Sequence, residues 1–295
     1  MKSTNTLFFV LTIIIFIMVI IAQAIIIHDK NVIVNDKNLI NYNQWERDKV
    51  DLNNDTNYLM NHKERGVALI FNHFEYDNEK IPKRHGTQAD EENIKSTLLK
   101  LGFTENNIHV KNDLTVQEIF DEVDKLKVQQ KILENSDCCM VFILTHGGEN
   151  DVLKAKDKRF KLLDLVENFT PAKMPGLAGK PKIFCIQACR GHAEEHTFSG
   201  ETFLNRNVES PQCYKYPSHA DFLICSSTYP GYVSYRNNHG SRFIRELCNA
   251  INQADLSKTD MYSILGAVNK SVANYEKQMP GFYSTLTRPL YFVLK

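Results

Sequence analysis

Short apolar runs alternating with helical periods predict an α/β fold, a mostly parallel central sheet with helices on both faces. Three observations carry this. Runs such as 138–144 and 183–186 are apolar without alternation, the mark of strands buried on both sides. The segments between such runs repeat apolar residues at spacings of three and four. The chain, 295 residues and 43% hydrophobic, is long enough for a large core.

From the N-terminus, residues 7–27 are apolar except for Thr12 and Gln23, and Lys2 is the only charged side chain among the first 27 residues. As a helix this run spans about 30 Å, a bilayer's hydrocarbon thickness, which predicts a transmembrane anchor in 1–27. A cleaved signal peptide is the alternative, with Ala22-Gln23-Ala24 as the small-x-small site and the rest of the chain then secreted. Lys30 and Lys37 behind the run outweigh Lys2 in front, which tilts the rest of the chain toward the cytoplasm. Residues 28–65 are rich in Asn, Asp and Lys and read as a polar linker or short pro-segment.

Val67–Phe71 is the first strand. Asp90 reads as an N-cap for a helix carrying Ile94, Leu98 and Leu101, with Gly102 past its end. Thr115 and Glu118 form a capping box before Ile119, Val123 and Leu126. Cys138–Leu144 and Lys182–Ala188 are strands, and 192–219 is an irregular polar loop, long enough to be a processing segment. Asp221–Cys225 resumes the sheet. Phe243, Leu247 and Ile251 mark one helix, Ile264, Leu265, Val268 and Val272 another, and Leu290–Leu294 reads as a closing strand.

Charge and cysteine usage exclude several functions. Lys plus Arg number 35 and so do Asp plus Glu, leaving no basic surplus for nucleic acid. Seven cysteines, an odd count without C-x-x-C pairs, argue against a disulfide framework or a zinc ribbon. In parallel sheets reactive groups sit just beyond the carboxyl ends of strands. Two strands here end that way, one in His146 and one in Cys189. Gly147 and Gly148 follow the first and Gly191 the second, so backbone N–H groups can approach a substrate and face a developing oxyanion.

Gln187-Ala188-Cys189-Arg190-Gly191, with a His upstream, resembles the caspase signature. The likeness continues through Gly86-Thr87, Leu177–Lys182, Ala220–Leu223, Pro230-Gly231, Val233–Asn237 and Leu290–Phe292, over roughly residues 55–295, in the manner of insect and animal caspases. The resemblance implies a three-layer sandwich and a cysteine endopeptidase that cuts proteins after Asp, in apoptosis or related signalling, as a homodimer matured from a zymogen. It implies no cofactor and no metal. Cys189 would be the nucleophile and His146 the proton-transfer residue; Gly147 and Cys189 would supply the oxyanion hole, and the Pro82 carbonyl would orient the imidazole. Arg84, Gln187 and Arg236 would hold the substrate's Asp, with Ser234, Tyr235 and Asn237 along its backbone and Val233 leaving a roomier pocket two residues before the cut. Arg242 stands near the family's far pocket, where a cation favours an acid four residues before the cut. Residues 66–191 would be the large-subunit region, 192–219 the intersubunit loop and 220–295 the small-subunit region.

This sequence departs from the family in its maturation signal: no Asp lies between Asp164 and Asp221, only Glu194, Glu195, Glu201 and Glu209 in the loop. Residues 28–65 are too short for the adaptor-binding prodomain of initiator members. Two competing readings remain. One is a catalytically silent caspase-like dimer partner; the other is a metalloprotease on His192–His196, which matches H-x-x-E-H but opens an irregular loop. The other six cysteines read as structural. Asn54, Asn168 and Asn269 begin glycosylation sequons that matter only in a secretory lumen.

Overall fold

The computed structural model describes residues 57–193, 219–275 and 277–294. The apolar segment 7–27, the linker up to residue 56, Cys213, His196 and the loop glutamates all lie outside these. Among the described residues no helix is long and apolar enough to cross a membrane.

In chain order the principal elements are β1 (Glu64–Asn72), α1 (Thr87–Lys100), β2 (Ile108–Asn112), α2 (Val116–Lys127), α3 (Gln130–Glu134), β3 (Ser136–Leu144), β4 (Val152–Lys154), β5 (Arg159–Lys161), α4 (Leu162–Val166), β6 (Lys182–Gln187), β7 (Gly191–Ala193), β8 (Phe222–Ser226), β9 (Gly231–Tyr232), β10 (Arg236–Asn237), β11 (Gly240–Ser241), α5 (Arg242–Gln253), α6 (Met261–Tyr275) and β12 (Gly281–Ser284). Six strands form the central sheet in the order β12-β8-β6-β3-β1-β2. All neighbours run parallel except β12, which pairs antiparallel with β8.

Two clusters on opposite faces divide the alternate residues of each central strand. On one face Ala68, Ile70, Met140, Phe142, Ile183 and Leu223 pack with Ile94 and Leu98 of α1, Phe243 and Leu247 of α5, and Val268 of α6. On the other, Val67, Leu69, Val141, Ile143, Phe184 and Ile186 pack with Ile119 and Val123 of α2 and Leu165 of α4. Each fully buried side chain contributes about 1.5–3 kcal/mol, which is why these strands carry continuous apolar runs. The two-sided burial is the expected α/β sandwich.

The Thr115 capping box is present, with the Glu118 amide donating to Thr115 Oγ1 and Glu118 Oε2 accepting from the Thr115 amide. Arg65 and Asp137 form a buried ion pair at 3.0 Å, and Arg65 Nε donates to the Leu101 carbonyl, tying β1, β3 and the end of α1 together.

Three elements differ from expectation. Asp90 does not cap α1: the helix begins at Thr87 with Gly86 as its cap. The Asp90 carboxylate is turned instead to the Ser241 amide, 2.7 Å away, because β11 packs on that end of the helix. Leu290–Leu294 forms no strand. Its alternation, with Leu290 and Phe292 buried and Val293 and Leu294 exposed, reflects an extended segment lying on the core. Its carbonyls serve Met261 N and Arg65 Nη2 rather than a ladder. The actual last strand, β12, is a half-exposed edge of Gly, Phe, Tyr and Ser with no apolar run to reveal it. β2, half-buried at the opposite edge, was equally silent.

Candidate active site

Strands β3 and β6 are direct neighbours, with Leu144 opposite Gln187. The residues just past them, His146 and Cys189, are therefore delivered to the same end of the sheet. Gly147 is where the two loops meet: a Cβ there would overlap the Cys189 carbonyl oxygen, so only glycine permits the approach. Gly191 similarly crosses the Gly231 backbone, whereas Gly148 has open space around it and no such constraint.

Backbone donors around this junction are mostly committed. The His146 amide donates to Tyr76 Oη at 3.1 Å and Gly148 N to the Val152 carbonyl at 2.9 Å. Ala188 N donates to Ser227 Oγ at 3.3 Å and Arg190 N to the Tyr232 carbonyl at 2.9 Å. The amides of Gly147 and Cys189, between them, have no acceptor among the described residues.

The His146 ring places Nε2 2.9 Å from the Pro82 carbonyl oxygen. A carbonyl only accepts, so Nε2 carries the hydrogen and Nδ1 is the basic nitrogen. Burial pushes the imidazole down to about 4; the Pro82 bond opposes this by raising it, and Arg84, Arg236 and Lys154 add smaller lowering effects. The ring is neutral at physiological pH. Because the unfolded chain still protonates this histidine near its ordinary pKa of about 6.5, its contribution to stability is present above that pH. It is lost as pH falls toward about 4. An NMR titration of the free protein is expected to show the His146 ring unchanged between pH 7 and 5; a midpoint near 6.5 would contradict this environment.

Cys189 is half-buried, while Cys138, Cys139, Cys185, Cys225 and Cys248 are buried in the core. Burial raises the Cys139 and Cys248 thiols to about 12, which keeps them inert. Cys189 Sγ accepts from Ser234 N at 3.4 Å and lies within electrostatic reach of Arg84, Arg236 and Lys154.

Arg84 is fully buried. Its Nη1 donates to the His73 carbonyl and to Thr87 Oγ1, both at 2.8 Å, while Nε and Nη2 have no partner. Burial and the neighbouring Arg236 lower its guanidinium to about 10. Gln187 donates Nε2 to Ser234 Oγ at 2.8 Å, leaving Oε1 buried without a partner. Turning this amide over puts its NH2 in the unpartnered place and lets Oε1 accept from Ser234. Arg236 is anchored through Nε to the His85 carbonyl at 2.9 Å. Two mutually repelling guanidiniums with unused donors form a cationic pocket whose chemistry suits an anion. Asp90, whose carboxyl burial raises to about 6, is the nearest acid and is taken up by Ser241.

Val233–Tyr235 belongs to no strand; the Tyr235 amide is held by Gln278 Oε1 at 2.9 Å. Arg236–Asn237 pairs with Gly240–Ser241. Tyr235, Arg236, Asn237, Gly240, Arg242 and Arg245 line one groove, and Arg242 Nη1 reaches Glu246 at 3.4 Å. All twelve residues singled out in the sequence thus lie around one end of the sheet.

Sequence reasoning missed Tyr76, Ser227, Gln278 and the Asp151–Arg190 pair. Tyr76 holds both the His146 amide and Thr145 Oγ1 (2.9 Å), and its ring tilts against the imidazole at 5.3 Å. Arg190 grips Asp151 bidentately at 2.6 and 2.8 Å, tying the cysteine loop to the histidine loop. Only Arg190, inside the signature pentapeptide, carried any signal; the rest are lone polar residues without pattern. Asn168 is buried, its amide spent on the Asp164 carbonyl and Lys127, so that sequon is not open to a glycan in the folded protein.

A thiol and a neutral imidazole on adjacent strand ends, beside a cationic pocket, are the equipment of a cysteine endopeptidase. Comparison with known proteins is specific. The caspase domain model matches residues 65–291. Caspase-1 of Drosophila melanogaster is 39% identical over 80% of this chain and 75% of its own length. Caspase-6 of Gallus gallus is 35% identical over 80% and 83%. The crystal structure of caspase-1 from Spodoptera frugiperda superposes with a TM-score of 0.71 at 38% identity, covering 82% of this chain and 97% of that one. The chain belongs to the caspase family. It is a cysteine endopeptidase that cleaves proteins after aspartate in apoptosis.

Proposed function

We propose that Cys189 and His146 carry the reaction and that Arg84, Gln187 and Arg236 read the substrate's aspartate. The observation that supports this best is the set of unpartnered buried donors on Arg84, beside Arg236 and an invertible Gln187 amide. A carboxylate there gains charge-assisted hydrogen bonds and relieves the repulsion between two cations. Glutamate carries its charge one methylene further and fits less well.

In the reaction Cys189 gives its proton to His146 Nδ1 and attacks the main-chain carbonyl carbon of the aspartate itself. The oxyanion takes hydrogen bonds from the Gly147 and Cys189 amides. His146, held through Nε2 by Pro82, then protonates the leaving amine, and water releases the acyl group. The substrate backbone lies along Ser234, Tyr235 and Asn237, with Val233 leaving a roomy pocket two residues before the cut. Arg242, with Arg236 and Arg245 on the same groove, favours an acid four residues before it. No observation favours the catalytically silent alternative.

The regions 66–191 and 220–295 correspond on this reading to large and small subunits of a homodimer, with 192–219 as the segment cut in the zymogen. Since 165–220 holds no Asp, maturation uses a glutamate site, another protease, or no cut at all. Residues 7–27 anchor the catalytic part on the cytoplasmic face of a membrane and raise its local concentration. Unchanged self-activation after removal of residues 1–27 would count against that role.

The test of the chemistry is hydrolysis of an Asp-ended fluorogenic peptide by the purified protein. Iodoacetamide is expected to abolish it and EDTA to leave it intact. Loss with EDTA would turn attention to the metalloprotease motif at His192–His196.

A further inference from the structure

The β4–β5 hairpin grows directly from the His146 loop. Lys154 N donates to the His146 carbonyl at 2.9 Å, and Gly147 bridges Leu153. Its two faces differ sharply. Leu153 and Phe160 point into the core, while the outward face carries Lys154, Arg159 and Lys161. Lys156 and Lys158 extend this charge around the turn, so residues 152–161 hold five cations against one anion, Asp157, in a chain whose charges balance overall.

A second observation shows that this charge is not neutralised within the fold. The register sets Lys154 opposite Arg159, and directly opposed like charges destabilise a hairpin. Burial and Arg159 both lower the Lys154 ammonium. None of the five cations is in an ion pair among the described residues. The surrounding acids make their hydrogen bonds and ion pairs elsewhere: Asp157 with the Val116 amide, Asp151 with Arg190, Glu75 with Lys83 and Glu118 in its capping box. Only longer-range attraction links Glu75 and Glu118 to Lys156 and Asp157 to Lys158. A repulsive pair kept beside the catalytic loop, with no carboxylate in ion-pair contact with it among the described residues, favours an external anion.

Position identifies that anion. On the proposed function, which this inference presupposes, the acyl part of the substrate runs along residues 234–237. The leaving part then departs past Gly147, where the hairpin stands. We propose that the outward face of the β4–β5 hairpin docks an acidic stretch of the substrate polypeptide on the carboxyl side of the cut. Preference among protein substrates is then set partly outside the aspartate pocket.

The test compares the wild-type chain with Lys158→Glu/Arg159→Glu on three probes: an Asp-ended tetrapeptide with a small leaving group, and two longer peptides continuing past the cut with either Glu/Asp or Ser/Asn. At low salt the acidic continuation is expected to raise kcat/KM about 10-fold over the neutral one, and the advantage to shrink with added salt. In the variant the advantage disappears or reverses, while tetrapeptide hydrolysis is unchanged. A second readout needs no turnover: in a Cys189→Ala background, fluorescence anisotropy should show the labelled acidic segment binding more tightly to the wild-type hairpin than to the charge-reversed one. Failure of all hydrolysis with this binding difference intact would strike the proposed function and leave the docking face standing. Equal binding, or an acidic preference that survives charge reversal, would overturn it. Preference for tripolyphosphate over the acidic peptide would overturn the polypeptide assignment. Removing the cation opposite Lys154 should leave the melting temperature at or above wild type; should the double variant melt lower, Lys158→Gln at the exposed turn gives the same comparison.

Discussion

Cys189→Ala is expected to lower kcat/KM on Asp-ended peptides by at least about 10^4-fold, the scale seen when a nucleophile that works with a base is removed. The fold should scarcely notice. Cys189 is only half-buried, and its sulfur makes weak contacts at 3.4 Å with Ser234 N and 3.9 Å with the Ser234 carbonyl. A melting temperature within about 2 °C of wild type should accompany the loss. Alanine at any of the buried core cysteines should show the opposite split, some loss of stability with activity retained in the folded fraction. Hydrolysis that survives Cys189→Ala would remove the basis of the proposed chemistry.

Arg84→Met is expected to cost about 10^2- to 10^3-fold in kcat/KM for an Asp-ended substrate, from the roughly 2–5 kcal/mol lost when one partner of a buried, hydrogen-bonded charge pair is truncated. The substitution keeps much of the volume. It gives up the bonds to the His73 carbonyl and Thr87 Oγ1, but also removes a buried cation that repels Arg236. These effects oppose one another in stability and act together against Asp binding. The diagnostic is therefore selectivity: the variant should lose its discrimination between Asp and Asn before the cut. Equal proportional losses on both peptides would mean that Arg84 only supports the loop.

Much of this was legible beforehand because the central strands are buried on both faces. Their apolar runs cannot be anything else at that length, and strand ends locate the reactive residues. The thiol and imidazole could be placed because β3 and β6 each run straight into the residue that matters. The edges were less legible. β2 and β12 satisfy only one side of a ladder and are half-exposed, so neither composition nor alternation marks them. Leu290–Leu294 misled for the opposite reason: a short apolar run reads the same whether the segment is hydrogen-bonded into a sheet or laid across the core with Leu290 and Phe292 buried. Asp90 misled because its position at the start of a helix is real, while its carboxylate answers to β11, 151 residues away. Within the site, Arg84, Gln187 and Arg236 stood out only through the family resemblance. No spacing rule predicts that a buried arginine keeps two donors unpartnered. Tyr76 and Gln278 depend on packing between distant loops and left no trace in the sequence.

The central claim is that a thiol peptidase here reads aspartate through the Arg84, Gln187 and Arg236 pocket. The most direct measurement is kcat/KM for three peptides identical except for Asp, Asn or Glu before the cut. A site built around a carboxylate rejects an isosteric amide strongly, because its cations are left unpaired. Asp should exceed Asn by about 10^3-fold or more and exceed Glu by a smaller but clear margin. Asn cleaved as well as Asp would contradict the account.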